Sequence, residues 1–194
     1  MINIKKLKNL PVSISDFKSI INDNYLYVDK TEYIYNLFKK PIQYYFLSRP
    51  RRFGKSLLVS TLKELFSGDK ELFKNLWIYN SDWDWQKYPV IHLDFADIAH
   101  RTSEQLEYEI ISQINIIAQV YDVILNPIKS PEGGFKNLII ELSKINQVVI
   151  LIDEYDKPII DHISNVLEAK KQRDILKSFY GIIKGLGEYL RAVF

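Results

Sequence analysis

Two kinds of apolar spacing alternate along the chain, and each predicts a different element. Apolar residues three and four apart mark helices, and short runs that are apolar almost throughout mark strands. Ser15-Asp16 is placed to cap a short helix through Phe17, Ile20 and Ile21, and Tyr25–Val28 reads as extended. Asp29-Lys30-Thr31 opens a second helix through Tyr33, Ile34, Leu37 and Phe38, which Pro41 ends. Ile42–Leu47, bounded by Pro41 and Pro50, predicts a strand. A loop over 48–54 leads into a helix from Lys55 to Phe66, with Leu57, Leu58, Leu62 and Leu65 as its apolar face and Ser67-Gly68-Asp69 as its stop.

Further along, Leu72, Phe73, Leu76 and Trp77 suggest a short helix, and Asp82–Trp85 a loop. Pro89–Phe95 predicts a second strand. Ser103 reads as the cap of a long helix through Leu106, Ile110, Ile114 and Ile117 to about Tyr121. After a loop over 126–134, Phe135–Ile145 is helical, with Leu138, Ile139 and Leu142 on one side. Val148–Ile152 is continuously apolar, the pattern of a parallel strand covered on both faces. Helical spacing resumes over Pro158–Leu167 and Arg173–Glu188, and Tyr189–Phe194 begins a fourth strand. Strand–helix alternation of this kind predicts an α/β fold with a mostly parallel sheet, whose ligands bind beyond the carboxyl ends of the strands. The length, 194 residues, suits a single domain: a preamble over 1–41 and a core over 42–194.

Composition narrows the chemistry. There are no cysteines, which excludes disulfides, thiolate catalysis and cysteine-based zinc sites. His92, His100 and His162 have no metal-ligand spacing and read as structural or surface residues. The net charge of +2 is too small to imply nucleic acid or an anionic membrane. No run approaches the roughly eighteen apolar residues of a membrane helix, and the basic start lacks a signal-peptide core. These features predict a soluble, cytoplasmic protein.

Two segments carry candidate chemistry. Gly54-Lys55-Ser56 lies between a predicted strand and a predicted helix, where a phosphate-binding loop ends. Backbone N–H groups there cradle phosphates, Lys55 would reach the β/γ-phosphates, and Ser56 would ligate Mg²⁺. The general pattern has glycine where this chain has Arg49. The plainer reading is a basic surface turn, but Lys55 at the positive end of a helix, with Arg51 and Arg52 nearby, is unfavourable unless an anion relieves it. The second segment is Val148–Glu154. Its apolar strand would deliver Asp153 to Mg²⁺ and Glu154 to the attacking water as general base. The plainer reading gives the pair to the first turn of a following helix. Trp77, Trp83 and Trp85 read as packing of a connector rather than as a base-stacking platform, and Lys170–Arg173 as a solvated helix start or turn.

Segments spanning nearly the whole chain resemble a known family in the same order. They are Leu10–Phe17, Tyr27-Val28-Asp29-Lys30-Thr31, Arg49–Ser56, Pro89–Phe95 and Ile152–Pro158. The family is that of predicted AAA-ATPase-like proteins, whose longer members often carry a C-terminal nuclease-like domain of the PD-(D/E)XK type. In it, arginine at the first glycine position of the loop is usual. The resemblance implies a three-layer α/β/α P-loop NTPase of the additional-strand class, with a sensor strand between the two Walker-motif strands, begun here by Leu190–Phe194. It implies that the family continues past that strand, so this chain reads as C-terminally incomplete. It implies ATP and Mg²⁺ as cofactors. Arg51, Arg52, Phe53, Gly54, Lys55, Ser56 and Leu57 would bind the nucleotide, Ser56 and Asp153 the metal, with Lys55 and Glu154 catalytic. Adenine would rest near Ser15, Asp16 or Phe17.

The leading expectation is therefore an Mg-dependent ATP-binding and hydrolysing domain coupled to a nuclease-like domain or another protein, with a homo-oligomer as a further form. The alternatives are a nucleotide-gated interaction module with negligible turnover, and a nucleic-acid or defence-related binding domain using Arg51, Arg52 and the basic 170–173 turn.

Overall fold

The computed structural model describes residues 8–40, 43–48, 50 and 52–194, with Gln43 described by its backbone alone. The predicted contributions of Pro41, Ile42, Arg49 and Arg51 lie outside the described residues. The chain divides into two compact units, one drawn from Met1–Lys40 and Phe46–Lys87, the other from Pro41–Tyr45 and Tyr88–Phe194.

The first unit holds α1 (Phe17–Asn22), α2 (Thr31–Phe38) and α3 (Lys55–Phe66), followed by two short 3₁₀ turns, Lys70–Phe73 and Trp77–Asn80. The Asp16 carboxylate caps α1 by accepting from Ser19 N at 2.7 Å. That backbone hydrogen bond is the main reason its carboxyl sits below the usual value. Asp29 works harder. Its Oδ1 accepts from Thr31 N at 2.8 Å and from the Thr31 hydroxyl at 2.7 Å, and its Oδ2 accepts from Trp77 N at 2.6 Å. The Thr31 hydroxyl in turn accepts from Ile78 N at 3.1 Å. The Asp-Lys-Thr element is thus a polar staple between the start of α2 and the second 3₁₀ turn. Buried aromatics fill the rest: Phe17 packs on Phe73 with ring centroids 4.8 Å apart, and Trp83 on Phe66 at 5.6 Å. Trp83 and Trp85 pack as expected, Trp85 against Phe73, whereas Trp77 meets the Tyr35 ring but stays exposed.

The second unit is α/β. Its strands β1 (Gln43–Tyr44), β2 (Val90–Asp94), β3 (Val148–Asp153) and β4 (Leu190–Val193) form a parallel sheet in the order β1-β4-β3-β2. Among the described residues β1 ends at Tyr44, short of the predicted end at Leu47; past it, Tyr45 N still donates to Val193 O at 2.8 Å. β4 lies between β1 and β3, with a register shift between Val148 and Val149. Both faces of β3 are buried, Val148 and Ile150 on one and Val149 and Leu151 on the other. Helices α4 (Ser103–Val120), α5 (Pro131–Ser143) and α7 (Val166–Gly181) join Ile91, Leu93, Val148, Ile150 and Leu190 in one core. Phe135 and Phe179 stack there with centroids 4.4 Å apart. The short α6 (Lys157–Ile160) follows β3.

Among the predicted boundaries that move, three do so for identifiable reasons. Thr102, not Ser103, caps α4, its hydroxyl accepting from Gln105 N at 3.2 Å. The next helix begins four residues before the predicted Phe135. Ser130 caps it and Pro131 occupies its first turn, a start signal that outweighs Gly133-Gly134. Gly134 is needed there, because a Cβ would fall 2.6 Å from the Ile128 side chain. Lys170–Arg173 is not a helix start but the interior of α7, which Asn165 caps. Gln172 is fully buried within that charged run and donates to His100 O at 2.8 Å.

Candidate functional site

The phosphate-loop candidate belongs to the first unit. Arg52 and Gly54 both have left-handed backbones, with φ of 66° and 76°. Gly54 meets no atoms that would exclude a Cβ, so its φ alone is what favours glycine. Gly54 is the N-cap of α3, and its carbonyl accepts from Leu58 N at 3.0 Å. It offers no side chain to the amides of the first turn, and that turn contains no acidic residue. By contrast, α1, α4, α5 and α7 each have a side-chain cap accepting from a first-turn amide. Among the described residues, the α3 terminus thus has no side-chain cap from its N-cap position, and it brings the positive end of its dipole and Lys55 together, an arrangement suited to an anion. Arg52, Phe53, Gly54 and Ser56 are exposed; Lys55 and Leu57 are half-buried. Arg51, expected in the same role, lies outside the described residues.

The adenine expectation fares differently by residue. Phe17 is fully buried, and its amide donates to the Ser60 hydroxyl at 2.9 Å. Its ring belongs to the core and has no free face for a base. Asp16 is engaged as a helix cap, and Ser15 is exposed.

The acidic candidate belongs to the second unit. Strand β3 ends in Asp153, only 5% exposed, and the adjacent β2 ends in Asp94, directly opposite in register. Phe95 N donates to Asp153 O at 3.1 Å and locks the two strand ends together. Asp153 Oδ1 accepts from Glu154 N at 3.0 Å, and Asp94 Oδ1 from Ala96 N at 2.8 Å. Burial, with the negative charge of Asp153 adding to it, pushes the Asp94 carboxyl above its ordinary value. Asp94 was not among the predicted site residues, although it ends an apolar strand just as Asp153 does. Two neighbouring carboxylates at strand ends are hard oxygen donors suited to Mg²⁺, which commonly takes only one or two carboxylates and completes its shell with phosphate and water. Among the described residues no group of three or more His, Cys, Asp or Glu could hold a metal.

Glu154 follows in a left-handed conformation, φ 50°, which costs a non-glycine residue roughly 1 kcal/mol. Its carbonyl accepts from Lys157 N at 3.0 Å, closing a tight turn after β3. Beyond that turn the fold gathers histidines that are remote in sequence. The rings of His100 and His162 lie 6.0 Å apart. The His100 nitrogens face Ile98 O at 2.6 Å and Asp161 Oδ2 at 3.0 Å; those of His162 face Pro158 O at 3.0 Å and Arg101 O at 3.1 Å. Lys157 Nζ also reaches Asp161 Oδ2, at 2.7 Å, and this contact is the main reason the Asp161 carboxyl lies below its usual value. These contacts brace the segment after β2 against the segment after β3, in keeping with the structural role predicted for the histidines.

The Asp94–Asp153 pair predicts a pH effect. A carboxyl whose folded pKa exceeds its unfolded one binds protons more readily in the folded state. Its cost is absent below the ordinary carboxylate range and grows as pH rises through the raised value. Asp94→Asn keeps the Oδ1 acceptor for Ala96 N and removes the charge. Thermal melts of the nucleotide-free chain at pH 7 are expected to show a Tm about 1–3 °C higher, a modest gain because solvent screens the half-buried carboxylate. The gain is expected to shrink below about pH 4.

Comparison with known proteins adds to this geometry. The family model described as "Predicted AAA-ATPase" matches residues 11–194. The chain belongs to the AAA-ATPase-like family. A relative from Azotobacter chroococcum mcd 1, an uncharacterized protein in the vnfD 5′ region, is 37% identical over 188 residues, 95% of this chain. This AAA-ATPase-like chain spans 36% of that relative's length. No solved structure matches. Among the described residues, no helix of the AAA-ATPase-like chain is long and apolar enough to cross a membrane.

Proposed function

We propose that this AAA-ATPase-like chain binds Mg·ATP and hydrolyses it, acting as a single nucleotide-binding domain. The observation that carries the proposal is the first turn of α3, which lacks a capping or acidic side chain and begins with Lys55-Ser56 after the left-handed Gly54. The amides of residues 51–56 receive the phosphates, with Leu57 also in the nucleotide-binding segment; Lys55 neutralises the β/γ-phosphates, and Ser56 and Asp153 would hold Mg²⁺. Magnesium, when bound, neutralises charge on the phosphate oxygens. Glu154 accepts a proton from the attacking water as general base. Catalysis is positioning plus charge stabilisation, with no covalent step on the protein. The place of β4 between β1 and β3 supports the additional-strand class of P-loop fold, with a three-layer arrangement and β4 in the position of a sensor strand.

The activity serves a partner protein, an oligomer or a nuclease-like domain. A second reading, a nucleotide-gated module with negligible turnover, draws on the catalytic arginine that P-loop enzymes often take from a partner; its loss costs about 10³–10⁵ in rate. Calorimetry with ATP, with and without Mg²⁺, together with phosphate release, tests the proposal. Mg-dependent binding with turnover supports it. Binding without phosphate release supports the gated module, and absence of binding defeats both.

A further inference from the structure

Glu154 occupies a strained turn, and a partly buried side chain from outside the turn bonds to it. Tyr180, in the last turns of α7, packs its ring on Phe95 at 6.1 Å and on Phe179 at 5.5 Å. Its hydroxyl donates to the Tyr155 carbonyl at 3.2 Å. Within the turn, Glu154 N donates to Asp153 Oδ1 and Lys157 N donates to Glu154 O, both at 3.0 Å. Those two bonds tie the turn to itself, whereas the Tyr180 bond ties it to the core. Left-handed backbone at a non-glycine residue persists only when its surroundings over-determine it. If position 154 relaxed to an extended or right-handed conformation, its Cα–Cβ bond, and the carboxylate with it, would swing to a new direction.

We propose that Tyr180 is a positioning residue for Glu154: by holding the Tyr155 carbonyl, it keeps Glu154 left-handed and its carboxylate correctly aimed. The inference rests on the reading of Glu154 as general base. Burial raises the ionisation of the Tyr180 hydroxyl far above neutral pH, so it stays a donor across the working range.

Tyr180→Phe removes one oxygen and leaves the ring packing. Amide hydrogen exchange on the whole chain reads the turn without nucleotide. The Lys157 amide is expected to exchange about tenfold faster in the variant, while the amides of Ile150 and Leu142 keep their protection. Unchanged Lys157 exchange overturns the proposal. In steady-state kinetics, kcat is expected to fall about tenfold with the KM for ATP unchanged. An unchanged kcat, or a loss confined to KM, overturns it as well. If the wild-type chain releases no phosphate, the ATPase reading fails on its own account, and Lys157 exchange still decides whether Tyr180 holds the turn.

Discussion

Glu154→Gln is expected to reduce ATP turnover at least about a hundredfold while leaving Mg·ATP affinity within about twofold. A positioned general base contributes roughly 10²–10⁴ to rate, and an amide of the same shape accepts no proton from water. The substitution preserves length and the left-handed backbone of the turn, because Gln and Glu meet the same steric cost there. The melting temperature should therefore stay within about 1 °C of wild type. Phosphate release under saturating Mg·ATP, paired with calorimetric affinity, makes the comparison. If binding is kept and turnover lost, Glu154 acts on water rather than on structure. Turnover within a few-fold of wild type would remove Glu154 from the chemistry.

Lys55→Ala produces two effects of opposite sign. The loss of a charge-assisted contact to phosphate costs about 2–3 kcal/mol, so ATP affinity is expected to drop about 30- to 150-fold. The nucleotide-free chain, however, should not lose stability. Lys55 sits at the first position of α3, where a cation opposes the helix dipole, and its removal is expected to stabilise the fold by about 0.3–1 kcal/mol. Alanine is also the best helix former. Calorimetry and urea melts on the same preparation measure both. Weaker binding together with lower stability would identify an ordinary folding defect instead.

Much of this architecture is legible in the residues. The α3 boundaries, the Asp16 cap, the apolar β3 and the β4 segment all follow from periodicity and local start and stop chemistry, because these depend on neighbours in sequence. The features that depend on tertiary context are not written in local sequence. Lys170–Arg173 looks like solvated surface, and only the fold reveals that Gln172 is fully buried within it and bonded to the His100 carbonyl. The α5 start was obscured by Gly133-Gly134, where close approach of Ile128 explains the second glycine.

The candidate site divides along the same line. Lys55, Ser56, Asp153 and Glu154 stand out through motif and spacing. Asp94 does not, because its significance comes from register: it lies opposite Asp153 only once β2 and β3 pair in parallel. Tyr180 is quieter still, a partly buried aromatic packed against the core and set apart by one hydroxyl. Phe17 shows the converse: its segment matches a family opening, and its complete burial assigns its ring to the core. His100 and His162, separated by more than half the second unit's sequence, become neighbours through the segments that follow β2 and β3.

The proposed function has the Lys55-Ser56 loop and Asp153 serve one Mg·triphosphate. A double-mutant cycle on the Mg²⁺-dependent gain in ATP affinity tests it most directly, using wild type, Ser56→Ala, Asp153→Asn and the double variant in one calorimetric series. Each single variant is expected to lose most of the gain that Mg²⁺ confers, and the double variant little more. Full retention of the gain in Asp153→Asn, or losses that simply add, would contradict it.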